Sequence, residues 1–310
     1  MTALEYAEGL LSTVTEEHEA EARIIISDLT ALPIGRINIE APPLSTGLKA
    51  EIESIAKRRA QGEPLQYILG KWEFMGLPFY TRPCALIPRQ DTETLCEEAL
   101  SIGGKTLLDL CCGTGTLTAL MAHRGYEMIA VDASADMLMQ ASGKASDAEI
   151  APLYLCQDAC ELDLYGTVDA AYCSLDGINY ISPDKLGRVF DRLHLFVRPY
   201  GLFIFDIKTP ESFRALDGEI FVDETDDVLC LWRADFSEED NTLLYGMDLF
   251  SRRGKLWQRE CEEHVEYAHS PEALKAMLEK SGFEQVEFFS DCPQGDRGRM
   301  FISAKNTSIY

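Results

Sequence analysis

The chain has 310 residues, 46% hydrophobic and 26% charged, a composition typical of a globular protein with length for about two domains. Its 52 Asp and Glu against 28 Lys and Arg leave a net charge of −24, which disfavours general binding to phosphate backbones; Lys57-Arg58-Arg59 reads as a solvated helix face. No run of about 18 uncharged apolar residues is present, and Glu5, Glu8, Glu16, Glu17 and Glu19 are unlike a basic-then-apolar secretion signal, so the expectation is a cytoplasmic location and no membrane span.

Residues 1 to about 70 read mostly as helix. Glu16 to Leu32 places Ala22, Ile25, Ile26 and Leu29 on one face, and Leu48 to Gln61 does the same with Leu48, Ile52, Ile55 and Ala56. Pro42-Pro43 separates the two runs, and Gly62-Glu63-Pro64 stops the second. Tyr67–Gly70, Trp72–Phe74 and Leu77–Tyr80 read as short strands turning at Gly70 and Gly76. From residue 105 strands (106–110, 127–131, 153–156, 168–173, 201–206) alternate with helices (116–124, 134–144, 183–196), the pattern of a parallel sheet covered on both faces. Residues 219–267 interrupt it with an antiparallel meander of about four strands, turning at Asp226-Asp227, Glu239–Asn241 and Arg253-Gly254. A helix at 271–281 and a closing hairpin, 284–289 and 299–304, complete the chain. The resulting division is a helical domain over 1–75, a hairpin and linker over 76–104, and an α/β domain over 105–310 with a β insertion at about 212–267.

Residues 107–115 (LLDLCCGTG) are the most informative stretch. Apolar residues build a strand, Asp109 lies near its end, and Gly113 and Gly115 make a tight turn into a helix. A second strand at βαβ distance ends in Asp132, whose carboxylate can take both hydroxyls of a ribose. That combination implies a nucleoside site. Gly113-Thr114-Gly115 with Ala119 also satisfies a loose dinucleotide fingerprint; the reversed final strand and Gln157-Asp158 favour a methyl donor instead. Ten cysteines without a Cys-x-x-Cys pair, several inside apolar strand patterns, are expected to be reduced thiols, with no metal site.

From Leu107 onward the chain resembles class I S-adenosylmethionine-dependent methyltransferases, through LLDLCCGTG (107–115), IAVDASADML (129–138), CQDA (156–159), CSLDGINYI (173–181), RPYGLFIFDIKTP (198–210), RECEEH (259–264) and SGFEQVEFFSD (281–291). The resemblance is closest to the subgroup with an inserted β-meander, which includes sugar-nucleotide N-methyltransferases. It implies a Rossmann-like sheet with a reversed last strand, S-adenosyl-L-methionine as cofactor, and methylation of an unidentified N or O nucleophile. Residues 58–95 (RRAQGEPLQYILGKWEFMGLPFYTRPCALIPRQDTETL) resemble a second family, the release-factor glutamine methyltransferases, at the junction of their helical and catalytic domains. That resemblance implies a release-factor-like partner docking on the N-terminal domain. The same family carries Asn-Pro-Pro-Tyr after its fourth core strand to hold the glutamine amide, whereas Ser174-Leu175-Asp176-Gly177 stands there in this chain.

The donor-binding set expected from these readings is Asp109, Cys111, Gly113, Gly115, Asp132, Asp158, Ala159 and Ser174. Asp109 suits the cationic donor through its methionyl amino group, Asp132 the ribose, and Asp158-Ala159 the adenine. Asp132 could also cap the helix that follows, and Asp158 could sit in a surface turn. Asp176 and His264 are the candidates for orienting or deprotonating the acceptor. Arg259, Glu262 and His264 match the meander motif of the subgroup, as a base or as a structural hydrogen-bond cluster. A non-catalytic, cofactor-sensing protein is the alternative of a different class.

Overall fold

The computed structural model describes residues 2–74, 77–81, 93, 104–145, 148–289 and 298–307. The chain divides into two compact units, Met1–Pro88 and Arg89–Tyr310. Most of the Ile-Pro-Arg-x-Asp-Thr-Glu stretch at 87–93, together with Cys84, Cys96 and Cys292, lies outside the described residues.

The first unit packs helices α1 (Ala3–Leu11), α2 (His18–Thr30), α3 (Ile37–Glu40), α4 (Thr46–Arg59) and α5 (Leu65–Leu69), followed by a hairpin of β1 (Lys71–Phe74) and β2 (Leu77–Tyr80). Thr2 and Glu5 cap α1 reciprocally, the Glu5 N–H donating to Thr2 Oγ1 at 3.2 Å and the Thr2 N–H to Glu5 Oε2 at 2.8 Å. Ala22, Ile25 and Ile26 of α2 and Ile52, Ile55 and Ala56 of α4 bury the stripes that their spacing indicates, against Ala3, Ala7 and Leu11 of α1. The buried Glu21 carboxylate is held by Arg59 through bonds of 3.0–3.2 Å. Residues 67–70 depart from the expectation of a strand: they close α5. Pro64 enters the helix with its φ preset, and Gly70, left-handed at φ +69°, ends it by donating its N–H to the Gln66 carbonyl. Apolar run length alone does not separate a one-turn helix from a short strand.

The second unit is built on seven strands: β3 (Thr106–Leu110), β4 (Glu127–Asp132), β5 (Leu153–Cys156), β6 (Val168–Cys173), β7 (Val197–Lys208), β12 (Phe283–Phe289) and β13 (Arg299–Asn306). Between β7 and β12 come β8 (Ile220–Glu224), β9 (Val228–Ser237), β10 (Thr242–Arg253) and β11 (Leu256–Tyr267), a separate antiparallel sheet in the order β11-β10-β9-β8. The helices are α6 (Thr116–His123), α7 (Ala135–Ala141), α8 (Pro183–Phe196), α9 (Pro210–Leu216) and α10 (Pro271–Lys280). The main sheet runs β12-β13-β7-β6-β3-β4-β5, parallel from β7 to β5, with β13 reversed against β7. Strand order therefore switches direction between β3 and β6, and in open α/β sheets the ligand crevice forms at the carboxyl ends of the strands at such a switch.

The core explains this arrangement. Helix α8 buries Leu186, Val189, Phe190, Leu193 and Phe196, one stripe at helical spacing, against Phe203 and Phe205 of β7. Fully burying a side chain of this kind contributes about 1.5–3 kcal/mol. A smaller cluster, Phe213 of α9 with Ala234 and Leu243, anchors one end of the meander.

Candidate active site

The turn after β3 is built around backbone that few residues tolerate. Cys111, Gly113 and Gly115 all have left-handed φ, at +58°, +53° and +66°. At Gly115 an added Cβ would lie 2.7 Å from the Ala141 Cβ, so the residue must be glycine for α6 to close against α7. At Gly113 the same position faces open space, which leaves bare backbone for a ligand to approach. Asp132, at the tip of β4, accepts from the Gly113 N–H at 2.8 Å and from the Ser134 N–H at 2.8 Å. The cap of α7 is Ser134, whose hydroxyl accepts from the Met137 N–H. Asp132 thus braces the glycine turn, and the outer lone pairs of its half-buried carboxylate remain for a diol.

Asp109 is 1% exposed and accepts from Thr118 Oγ1 at 2.5 Å. Burial pushes its carboxyl up to about 7, and hydrogen bonds from Thr118 and Tyr172 offset this only in part. No cation contributes to its charge balance among the described residues. Asp158 is exposed and caps a short 3-10 turn, accepting from the Cys160 N–H at 2.9 Å, a bond that holds its carboxyl below the ordinary range. Ala159 beside it is buried.

Ser174, Leu175, Asp176 and Gly177 leave β6 on the other side of the crevice. A Cβ at Gly177 would lie 2.6 Å from Cys173 Sγ and 3.0 Å from the Cys111 Cβ, so this loop presses directly on the glycine turn. Leu175 and Asp176 are left-handed as well, at φ +56° and +54°, a strain of about 1–3 kcal/mol each held by the surroundings. Those surroundings are a buried ionic network. Asp176 receives Lys208 Nζ at 2.7 Å on one oxygen and Arg299 Nη2 at 2.7 Å on the other. Lys208 also meets both oxygens of Glu266 on β11 at 3.0 Å, and Arg299 pairs with Asp206. Asn179 locks the loop to β7 and β11, donating to the Lys208 and Tyr267 carbonyls and accepting the Lys208 N–H.

Burial pushes the Asp176 carboxyl up, but Arg299 and Lys208 outweigh it and hold the group below the usual range. Burial likewise raises Asp206 and Glu266, and there the paired cations compensate only partly. Lys208 stays above its ordinary value because Asp176 and Glu266 outweigh its desolvation. A carboxylate spanned by two cations is a fixed anion that anchors its loop. His264 is different: it is part-exposed, lies 3.4 Å from Glu262, and meets the Tyr180 ring edge-on at 6.3 Å. Arg259, three residues before Glu262, falls on the opposite face of β11, where it binds Asp248 at 2.7 Å. The Arg-x-x-Glu-x-His stretch therefore divides between two faces, and only its second half turns toward Tyr180. Lys208, Glu266, Asp206, Arg299 and Asn179 escape sequence reasoning. Their one local trace is a polar residue at the end of an apolar strand or in the turn after it, and their partners lie up to 123 residues away.

These residues fit a nucleoside carrying a cationic amino-acid tail: open backbone at Gly113, free lone pairs on Asp132 for a ribose, and a desolvated Asp109 without a cation. A methyltransferase domain model matches residues 107–201, and a PrmC N-terminal domain model matches residues 2–70. An S-adenosylmethionine-dependent methyltransferase of Clostridium acetobutylicum superposes with a TM-score of 0.62 at 27% identity, covering 70% of this chain and 91% of that one. Residues 107–201 of this chain belong to a methyltransferase domain. YqeM of Bacillus subtilis, described as a methyltransferase, is 26% identical over 210 residues, 65% of this chain and 84% of that protein. The methyltransferase domain's inserted meander and reversed β13 follow the expected α/β architecture. The release factor glutamine methyltransferase of Salmonella typhimurium is 38% identical over 124 residues, 37% of this chain and 44% of that protein. The chain thus spans less than half of that relative's length.

Proposed function

We propose that the enzyme methylates a nitrogen nucleophile delivered between the loop Ser174–Tyr180 and the Glu262–His264 end of β11. The observation that supports this most is the approach of Gly177 to Cys111, which sets the loop after β6 against the donor turn. Lys208 ties that loop to Glu266 on the same strand as His264. When bound, S-adenosylmethionine supplies an electrophilic methyl group on a sulfonium. In this reading Asp132 holds the ribose, Asp109 the methionyl ammonium, Asp158 and Ala159 the adenine edge, while Gly113, Gly115, Cys111 and Ser174 complete the donor site. The protein's contribution is alignment and exclusion of water. An amine nucleophile must give up its proton before attack. We assign that proton to His264, oriented by Glu262, and give Asp176 the role of fixing the loop.

The test is labelled methyl transfer into fractionated extract, run beside calorimetry with S-adenosylhomocysteine. His264→Gln should lower transfer about a hundredfold or more with product affinity unchanged. Wild-type rates in that variant would place proton removal elsewhere. Asp132→Ala should weaken S-adenosylhomocysteine by at least about tenfold, from the loss of charge-assisted hydrogen bonds; unchanged affinity would remove Asp132 from the donor site.

A second reading is favoured by one observation, the PrmC N-terminal domain match over residues 2–70: glutamine methylation of a release-factor-like protein that docks on the first unit. Ser174–Gly177 argues against it, since neither an amide-binding Asn nor a proline is present. Methyl incorporation into a release-factor glutamine would restore it. We place the enzyme in the cytoplasm, with nucleic acid an unfavourable partner given its charge of −24. Among the described residues no helix is long and apolar enough to cross a membrane.

A further inference from the structure

The meander places three of its four arginines on one face. Strand pairing places Phe221, Trp232, Met247 and Glu262 in one row across the sheet, and Asp223, Cys230, Leu249 and Glu260 in the next. Both rows share the face of Ala234, Tyr245, His264 and Glu266, the face whose near end packs on α9 and meets Lys208. Past Tyr245 this face belongs to no core cluster, and Trp232, Met247 and Leu249 stay partly open. Its floor is apolar on the two central strands, and its flanks are acidic, Asp223 on β8 and Glu260 with Glu262 on β11. These two rows hold no Lys or Arg. Arg233, Arg252 and Arg259 lie on the opposite face, two of them on Asp248, while Arg253, at the β10–β11 turn beyond these rows, is the cation on this face. The negative potential reaches the floor: burial and then Asp223 push the Cys230 thiol up.

We propose that this face is the docking track for a basic, partly apolar polypeptide segment whose nitrogen is the methyl acceptor; the inference rests on the methyltransferase reading above and narrows its substrate class. Three inter-strand spacings separate β8 from β11, about 14 Å. That width accommodates an extended chain or one helix and exceeds what a single small amine could bridge between the two flanks. Along β10, four residues lead from Leu249 back to Tyr245, about 14 Å, so a bound segment reaches from the open end of the sheet to Tyr180 and His264. Apolar side chains of the segment cover Trp232, Met247 and Leu249, and its cations meet Asp223 and Glu260.

The test uses the full-length protein and fluorescein-labelled twelve-residue peptides in anisotropy titrations. One peptide alternates Lys with Leu, a second Lys with Gly, a third Glu with Leu. Asp223→Asn/Glu260→Gln removes two charges from the track, and Glu224→Gln/Glu263→Gln removes two from the same strands on the other face. The Lys-Leu peptide should bind the wild type, weaken about fivefold in the first double variant, and change by less than about twofold in the second. Equal losses in both would reduce the effect to overall charge and overturn the proposal. So would equal binding of the Lys-Gly peptide, or no binding by the wild type. S-adenosylhomocysteine calorimetry on the same samples keeps the two readings apart: a wild type that binds no S-adenosylhomocysteine strikes the methyltransferase reading, whereas retained binding confines the failure to the track.

Discussion

Replacing Lys208 by methionine tests the buried network directly. The ammonium sits 2.7 Å from Asp176 and 3.0 Å from both Glu266 oxygens, with a side chain only 19% exposed. Methionine keeps much of the stem's volume but leaves Asp176, Asp206 and Glu266 sharing one cation, Arg299. Removing one partner of a buried pair costs about 3–5 kcal/mol; partial exposure of the Lys208 side chain brings the expected loss to about 2–4 kcal/mol. In a unit of this size that lowers the thermal midpoint by roughly 5–15 °C. Urea unfolding with fitted m values measures the loss, and Glu266→Gln in the same background should return at least about 1 kcal/mol by removing the unpaired anion. The pH dependence has a definite sign. The Lys208 pKa is raised above 10.5, so its contribution is whole below that value and is lost only as pH rises through the folded pKa. The Asp176 pKa is lowered below 3.8, so its contribution is whole above that value and is lost as pH falls through the folded pKa. Burial already raises Glu266 with Lys208 in place, so in the variant its carboxyl relieves the lost pairing by taking up a proton, and the difference between wild type and variant should shrink as pH falls from about 9 toward about 5. A loss below about 0.5 kcal/mol, or no coupling to Glu266, would refute the view that these charges hold the loop to β11.

Two further outcomes follow from the donor side. Asp109, with its carboxyl pushed up to about 7, favours the folded protein when protonated, so its stabilising contribution is whole below its ordinary value and declines as pH rises through 7. Asp109→Asn should then raise the thermal midpoint at pH 8 more than at pH 5.5 while weakening S-adenosylhomocysteine at pH 8; an equal shift at both values would show that the carboxyl is not desolvated as described. Gly177→Ala would drive a methyl group against Cys173 Sγ and the Cys111 Cβ, short side chains with little room to yield. It should cost about 1–3 kcal/mol and loosen donor binding together with transfer, and a variant with wild-type calorimetry would separate the loop from the glycine turn.

Periodicity and turn residues are local signals, and the parts of the protein they specify were legible in the chain itself. The five strands from Thr106 to Phe205, the helix at Pro183–Phe196, the four meander strands with their turns and the glycine turn after Asp109 all follow from which residues can be buried and which backbone conformations glycine permits. So does the methyl-donor chemistry, since its groups cluster at the tips of strands adjacent in sequence. The one-turn helix Leu65–Leu69 was not legible, because four apolar residues carry no period. Tertiary structure decided the acceptor side. Asp176 looks like a free carboxylate in a loop until Lys208 and Arg299, 32 and 123 residues further on, are brought to it. Glu262 and Arg259 look like one motif until strand alternation turns them to opposite faces. Charge pairing across a sheet depends on strand order and register, which arise from the packing of the whole core and leave no trace within any short window of sequence.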